Sequence, residues 1–200
     1  MSDVDPRLVG ALRKQLGGRS GDRVGWKLGI GDRERIGGHI AVGHLTSATV
    51  LGSGAVYDGA GDSLHADAEI AVDIGPDQTV AAYGAALELV DLGRPPDDPE
   101  SVVAENVFHR VVALGPPTSW PDGEVRGSLI VNGELRASAS ASGDVEGKLV
   151  EARRILESVG ERMEPGDRVI TGSVVQIPVE AGDEVVADFG ALGRAWLSIA

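Results

Sequence analysis

The spacing of apolar residues changes after the first twenty positions. Leu8, Val9, Ala11, Leu12 and Leu16 recur at helical spacing and predict a helix over 6–16, ended by Gly17-Gly18. From there to about residue 74 the pattern predicts short strands separated by glycines, clearest at 23–28, 48–51 and 66–74. In the last of these, Ala68, Ile70 and Val72 alternate with Asp67, Glu69 and Ala71. Residues 77–83 read as a helical turn. Residues 85–92 read as a strand, although Ala85-Ala86-Leu87-Glu88-Leu89-Val90 fits a helix on propensity alone. A Pro- and Asp-rich turn then leads into a short helix over 99–108, capped by Asp98, and a strand over 111–114.

The second half is plainer. Asn132-Gly133 between apolar runs predicts a hairpin over 125–139. Asp144 caps a helix over 145–159 that Gly160 ends, and strands follow at 168–171, 174–178, 184–189 and 193–199. No helices separate these last strands, which argues against a parallel α/β sheet. The expected fold is mostly β with a few helices (α+β). There is no internal repeat, and the low-complexity patch over 138–143 is too short to be a linker. Residues 1–22 are expected to form a short helical arm and 23–200 a single catalytic domain.

Composition narrows the function. Of 200 residues 42% are apolar, enough to bury a sizeable core. A net charge of −13 excludes the basic face that nucleic acid needs, and aromatics at 4% argue against a stacking site for bases or sugars. No cysteine is present, which excludes disulfides, thiolate nucleophiles and zinc–cysteine sites. The acidic start Met1-Ser2-Asp3-Val4-Asp5 does not read as a secretory signal, and no apolar run is long enough to span a bilayer. A soluble cytoplasmic protein without membrane or nucleic-acid partners is expected. Lysine is scarce: only Lys14, Lys27 and Lys148 occur.

Asp67 and Glu69 stand two apart in a predicted strand, so both carboxylates point to one face. Carboxylates that close repel unless a cation or proton lies between them, and a hard divalent cation takes oxygen ligands. Glu88 stands in an apolar segment, where a buried charge needs a partner. By spacing alone, Asp67 and Glu69 also fit a solvated strand face, and Glu88 a surface position on a helix. Lys27, within Gly25-Trp26-Lys27-Leu28-Gly29, is a candidate buried cation for an acidic substrate or for proton transfer; a lysine snorkelling to water fits the same pattern. His44, His65 and His109 lack metal-ligand spacing, and His65 could share a face with Asp67. Ser173 lacks a nucleophile-elbow context, and Gly37-Gly38 is too short for a phosphate loop.

Gly25-Trp26-Lys27-Leu28-Gly29, Asp67-Ala68-Glu69-Ile70-Ala71 and Ala86-Leu87-Glu88-Leu89-Val90-Asp91 together resemble the ordered motifs of the 2-keto-4-pentenoate hydratase family. That family lies in the fumarylacetoacetase superfamily and includes 4-oxalocrotonate decarboxylases. Gly127-Ser128-Leu129 with Asn132-Gly133-Glu134 is similar to its hairpin. The run from Glu164 through Pro165-Gly166-Asp167 to Thr171-Gly172-Ser173, and Ala187-Asp188-Phe189-Gly190-Ala191-Leu192-Gly193, are similar to its C-terminal motifs. The resemblance implies a distorted β-barrel or roll, a homo-oligomer, and Mg²⁺ or Mn²⁺ held by Asp67, Glu69 and Glu88. It makes Lys27 the active-site lysine, with Asn106 and Thr171 as further substrate-binding positions. Glu88 as third ligand points to the hydratase and decarboxylase branch.

This chain departs from the family pattern at several positions. Asp67 and Glu105 replace the usual Glu and Asp, and the family's acidic residue in P-D-F-G-x-L is here Ala41, with His44 as a candidate substitute in catalysis. The expected function is metal-dependent lyase chemistry on a small 2-oxo or 2-hydroxydienoic acid, within aromatic-compound catabolism and beside other pathway enzymes. Hydration of 2-hydroxypenta-2,4-dienoate to 4-hydroxy-2-oxopentanoate leads, and 4-oxalocrotonate decarboxylation is the alternative, which the loss at Ala41 favours. A non-catalytic homologue is the competing class; the survival of Lys27 and all three carboxylates weighs against it.

Overall fold

Local signals set the helix boundaries. In the computed structural model, which describes residues 4–29, 40–96, 98–141 and 144–200, Asp5 accepts a hydrogen bond from the Arg7 N–H and opens α1 (Pro6–Gly17). Asp98 accepts from the Ser101 N–H at the start of a second helix, and Asp144 from the Gly147 N–H at the start of a third.

In chain order α1 is followed by β1 (Arg23–Gly29), β2 (Ala41–Thr46), β3 (Val50–Leu51), β4 (Val56–Tyr57), β5 (Leu64–Ile74) and β6 (Val80–Asp91). Next come α2 (Pro99–Ala104), β7 (His109–Leu114), β8 (Arg126–Val131), β9 (Glu134–Ser140) and α3 (Val145–Ser158). β10 (Arg168–Pro178), β11 (Glu184–Asp188) and β12 (Arg194–Ile199) end it. The larger sheet runs β2-β1-β10-β5-β6-β7-β3 and curls into a half-barrel; the smaller runs β4-β12-β11-β8-β9. Pairing is antiparallel except at β1–β10, β12–β4 and β3–β7. The expectation of a mostly β, α+β fold holds.

One apolar core joins the two sheets and α3. Leu28 of β1, Ala68, Ile70 and Val72 of β5, and Leu87 and Leu89 of β6 meet Leu129, Val185 and Leu197 from the smaller sheet, with Leu149 and Leu156 from α3. The alternation read along β5 is therefore real: Ala68, Ile70 and Val72 face this core. Ala71, with Leu45, Ala86, Val112 and Ile170, belongs to a separate apolar cluster, and it is on this side that Asp67 and Glu69 stand. A third cluster, of Ala11, Leu12, Ala41, Val102, Val103 and Val107, packs α1 and α2 against β2.

Several predicted elements need correction. Residues 77–83 hold only a 3₁₀ turn at Pro76–Gln78, and β6 starts at Val80. The helix expected over 99–108 stops at Ala104. The two strands expected over 168–178 are one strand with a bulge. The strand expected over 48–51 is only the two residues of β3. β2 carries no alternation for a sequence pattern to show, because all its residues are buried. Residues 1–3 of the acidic start, the Gly37-Gly38 pair and the last two residues of the patch over 138–143 lie outside the described residues. Among the described residues no helix is long and apolar enough to cross a membrane.

Asp167 locks the start of β10 to β1. Its buried carboxylate pairs with Arg23 and accepts from Trp26 Nε1 at 3.0 Å and from the Glu164 N–H at 2.8 Å. Asp167→Ala is expected to lower the unfolding free energy by about 3–5 kcal/mol, because it strands a largely buried guanidinium and two N–H donors. Urea unfolding followed by tryptophan fluorescence measures this.

Candidate metal centre

β5 and β6 pair antiparallel with Asp67 directly opposite Glu88, and Glu69 follows two residues along β5. Alternation puts all three side chains on one face, and the register brings them together. One ligand atom from each lies within 4.8 Å of the others, and all three residues are buried, at 4%, 2% and 1% exposure. Directly opposed like charges destabilise a sheet. Burial raises the Asp67 carboxyl to about 7, with the Glu88 charge adding to it and Lys27 opposing. The Glu69 carboxyl is raised well above its usual range by burial and by both neighbouring carboxylates. Burial would raise Glu88 too, but the Lys27 ammonium and His109 overcome it and hold this carboxyl at about 2.

The compensating groups come from three strands. Lys27 Nζ on β1 is 2.6 Å from Glu88 Oε1 and donates to the Val107 carbonyl at 2.9 Å. His109 Nδ1 on β7 meets the same Glu88 Oε1 at 2.6 Å. On β10 the register shifts twice between Ile170 and Val175, a bulge with Gly172 at φ 95°, a conformation that favours glycine. There the Gly172 N–H donates to Glu69 Oε2 at 2.7 Å, and Ser173 Oγ donates to Asp67 Oδ1 at 3.0 Å. When all three carboxylates are ionised they carry more negative charge than the single Lys27 ammonium balances. An oxygen-only donor set this compact and this buried fits a hard divalent cation.

The turn before β7 is strained. Asn106, Val107 and Phe108 have φ of 55°, 52° and 64°, and none is glycine. Left-handed backbone costs such residues about 1–2 kcal/mol each. Asn106 anchors the turn on the free edge of β2, accepting from the His44 N–H at 2.8 Å and donating to the His44 carbonyl at 3.1 Å. Gly43, paired with Lys27, makes room: a Cβ there would lie 2.5 Å from Asn106 Oδ1 and 2.7 Å from Lys27 Cγ.

The residues singled out in the sequence divide accordingly. Lys27, Asp67, Glu69 and Glu88 converge. Asn106 stands beside Lys27 but spends one donor and one acceptor on β2. Thr171 is buried in the bulge, its hydroxyl donating to the Ile70 carbonyl at 3.0 Å and its carbonyl accepting from Lys148 Nζ at 3.0 Å. His44 is opposite Trp26, one position from the Lys27–Gly43 pair, and its Nδ1 meets Gln15 Oε1 of α1 at 3.1 Å. Its ring lines a cleft of about 360 Å³ with Lys14, Arg19 and Thr46, and burial lowers its pKa to about 4, with His109 and Arg19 adding. Ala41 shares the Gly43 face of β2 but packs in the apolar cluster with Leu12 and Val107. Sequence reasoning did not place His109 or Ser173 at the site. Spacing cannot reveal His109, which meets a carboxylate 21 residues away, and the motif Thr171-Gly172-Ser173 marks Ser173 without showing that its hydroxyl meets Asp67.

No family model and no curated protein matches the chain. Its fold is similar to that of 4-oxalocrotonate decarboxylase from Pseudomonas putida G7, solved with magnesium and adipate: TM-score 0.82 and 20% identity over 96% of this chain and 86% of that one. Fumarylpyruvate hydrolase from Pseudomonas aeruginosa, in complex with Mn²⁺ and pyruvate, gives TM-score 0.66 and 19% identity over 90% of each chain. 2-Hydroxyhepta-2,4-diene-1,7-dioate isomerase from Mycobacterium marinum gives 0.64 and 17% over 89% of this chain and 75% of that one. The chain has the fumarylacetoacetase-like fold.

Two outcomes follow from the site. Asp67 and Glu69 bind protons in the fold that they would release at lower pH in the unfolded chain, so without metal the thermal midpoint falls as pH rises from about 4 through about 7. The carboxylates must be deprotonated to hold a cation, so the rise in midpoint on adding Mn²⁺ is larger at about pH 8 than at about pH 5.5. Scanning calorimetry across this range checks both signs. Gly43→Ala is expected to cost about 1–3 kcal/mol and to displace Lys27, read by urea unfolding and a crystal structure of the variant.

Proposed function

We propose that this chain is a metal-dependent lyase acting on a small 2-oxo acid, with decarboxylation of a 4-oxalocrotonate-type substrate as the reading the site supports best. The observation that carries it is the buried group of Asp67, Glu69 and Glu88 with Lys27 bonded to one of its members. The three carboxylates would hold Mg²⁺ or Mn²⁺. When bound, the cation supplies Lewis-acid polarisation of the substrate's 2-oxo oxygen. Lys27 is the ammonium within reach of the same space, and it binds the substrate carboxylate or delivers a proton to the enolate carbon. Buried on a rigid strand and held by the Val107 carbonyl, it is oriented before substrate arrives. The family likeness of the motifs, and the decarboxylase, hydrolase and isomerase among the structural neighbours, support this class of chemistry.

Decarboxylation moves ahead of hydration because of Ala41. Loss of CO₂ sends the electrons of the breaking C–C bond through the conjugated chain to the 2-oxo oxygen and needs no activated water. Hydration needs a group that moves a proton to or from water, and position 41 offers a methyl in an apolar cluster. Hydration of 2-hydroxypenta-2,4-dienoate is the second reading, with His44 as the candidate proton carrier. Assembly as a homo-oligomer belongs to the same proposal.

Both substrates are to be assayed with Mg²⁺ and with Mn²⁺. Wild type is expected to decarboxylate 4-oxalocrotonate and to hydrate the dienoate poorly. Lys27→Met is expected to lower turnover by at least about 10²-fold while Mn²⁺ still binds. Ala41→Asp is expected to raise hydration by up to about 10²-fold and leave decarboxylation within a few-fold. Fast hydration by wild type with no gain from Ala41→Asp would reverse the order of the two readings, and His44→Ala would then show whether His44 carries the proton. Turnover of neither substrate, with Mn²⁺ still bound, would favour a non-catalytic homologue.

A further inference from the structure

Three of the four residues 106–109 bear on the site. Asn106 ties its side chain to β2, Val107 turns its carbonyl onto Lys27 Nζ, and His109 sets Nδ1 against Glu88 Oε1. Three left-handed residues in a row make this possible by reversing the chain between α2 and β7. The turn thus fixes both members of the Lys27–Glu88 pair at once.

His109 is the unexplained part. Its side chain is 1% exposed, and its Nε2 is buried with no hydrogen-bond partner among the described residues. The register between β6 and β7 shifts between Leu89 and Val90, which turns His109 to the face of Glu88 and away from the core face of Val111 and Ala113. A buried imidazole with one polar contact is placed for that contact. The acceptor is a carboxylate, so Nδ1 carries the proton and donates, while Nε2 keeps a bare lone pair.

We infer that His109 is a positioning residue that holds the Glu88 carboxylate toward Asp67 and Glu69 independently of Lys27. This rests on the reading of those three carboxylates as the cation's ligands. Lys27 is a flexible four-carbon arm shared between Glu88 and the Val107 carbonyl. When its ammonium turns to a substrate anion, Glu88 loses that donor. The imidazole is rigid, buried and fixed to the start of β7, so its bond persists. Lys27 and His109 both meet Oε1, so Glu88 would be held in place with its carboxylate still facing Asp67 and Glu69. Supporting groups of this kind typically govern metal affinity by about 10–100-fold.

The test compares His109→Leu, which removes the donor, with His109→Asn, whose amide N–H reaches the place of Nδ1. Mn²⁺ binding is titrated by calorimetry, and each variant is crystallised without metal. His109→Leu is expected to weaken Mn²⁺ binding by about 10–100-fold and to let Glu88 swing away from Asp67, while His109→Asn restores affinity to within a few-fold and returns Glu88 to its place. A Leu variant with Glu88 in place and Mn²⁺ affinity within about twofold of wild type overturns the inference, as does an Asn variant no better than Leu. If His109→Leu fails to fold, Lys27→Met decides: with His109 as the remaining side-chain donor, Glu88 stays beside Asp67 and Glu69, and a Glu88 found turned away there overturns the inference. Wild-type protein that binds no Mn²⁺ would sink the metal reading instead, and the crystallographic position of Glu88 would still decide this one.

Discussion

Three carboxylates within 4.8 Å of one another, buried in the face of a β-sheet, are the constraint around which the rest of this molecule is arranged. Each would lose its hydration, and each repels the other two. The fold answers with the Lys27 ammonium, the His109 imidazole, the Ser173 hydroxyl, the Gln176 side chain and the Gly172 N–H, and leaves Asp67 and Glu69 with raised proton affinity. A stable core does not need such a cluster. Replacing buried ionic groups with apolar ones is often neutral or stabilising, so stability alone does not account for the cluster.

Meeting that constraint takes irregular structure at three places. The bulge in β10 turns Gly172 and Ser173 onto Glu69 and Asp67. The left-handed turn at Asn106–Phe108 stores strain and spends it on fixing Lys27. Gly43 leaves β2 open enough for Lys27 and Asn106 to lie against it. Strain of this kind persists only where surrounding contacts over-determine it, and here the hydrogen bonds from Asn106 to β2 and the packing of Val107 against Leu12 and Val103 do so.

The shared fold with 4-oxalocrotonate decarboxylase at 20% identity shows how little of the chain the architecture depends on. Most positions differ while the curled sheet persists, because a core needs apolar residues of suitable volume more than particular ones. Ala41, next to Gly43 on the face of Lys27, puts a methyl into the α1–α2 cluster, and on the proposed reading that position favours decarboxylation over hydration.

Much of this was legible in the chain itself. The period-two pattern along 66–74 separates core from site face. The Asp67–Glu69 spacing puts two carboxylates together, Asn132-Gly133 makes the hairpin, and Asp98 and Asp144 start helices. These are local properties, set by alternation and capping within a few residues. The span from Lys27 to Glu88 is not local. Two strands, β10 and β5, lie between β1 and β6, so in a flat sheet the backbones would stand roughly 14 Å apart; the curl of the half-barrel brings the side chains to 2.6 Å. His109 is likewise joined to Glu88 only by the pairing of β6 with β7 and by a turn of unfavourable backbone that no propensity predicts. Sheet curvature, bulges and left-handed turns arise from packing summed over the whole domain, and that is why the sequence pointed to the carboxylates while only the tertiary structure brought them together and decided which groups hold them.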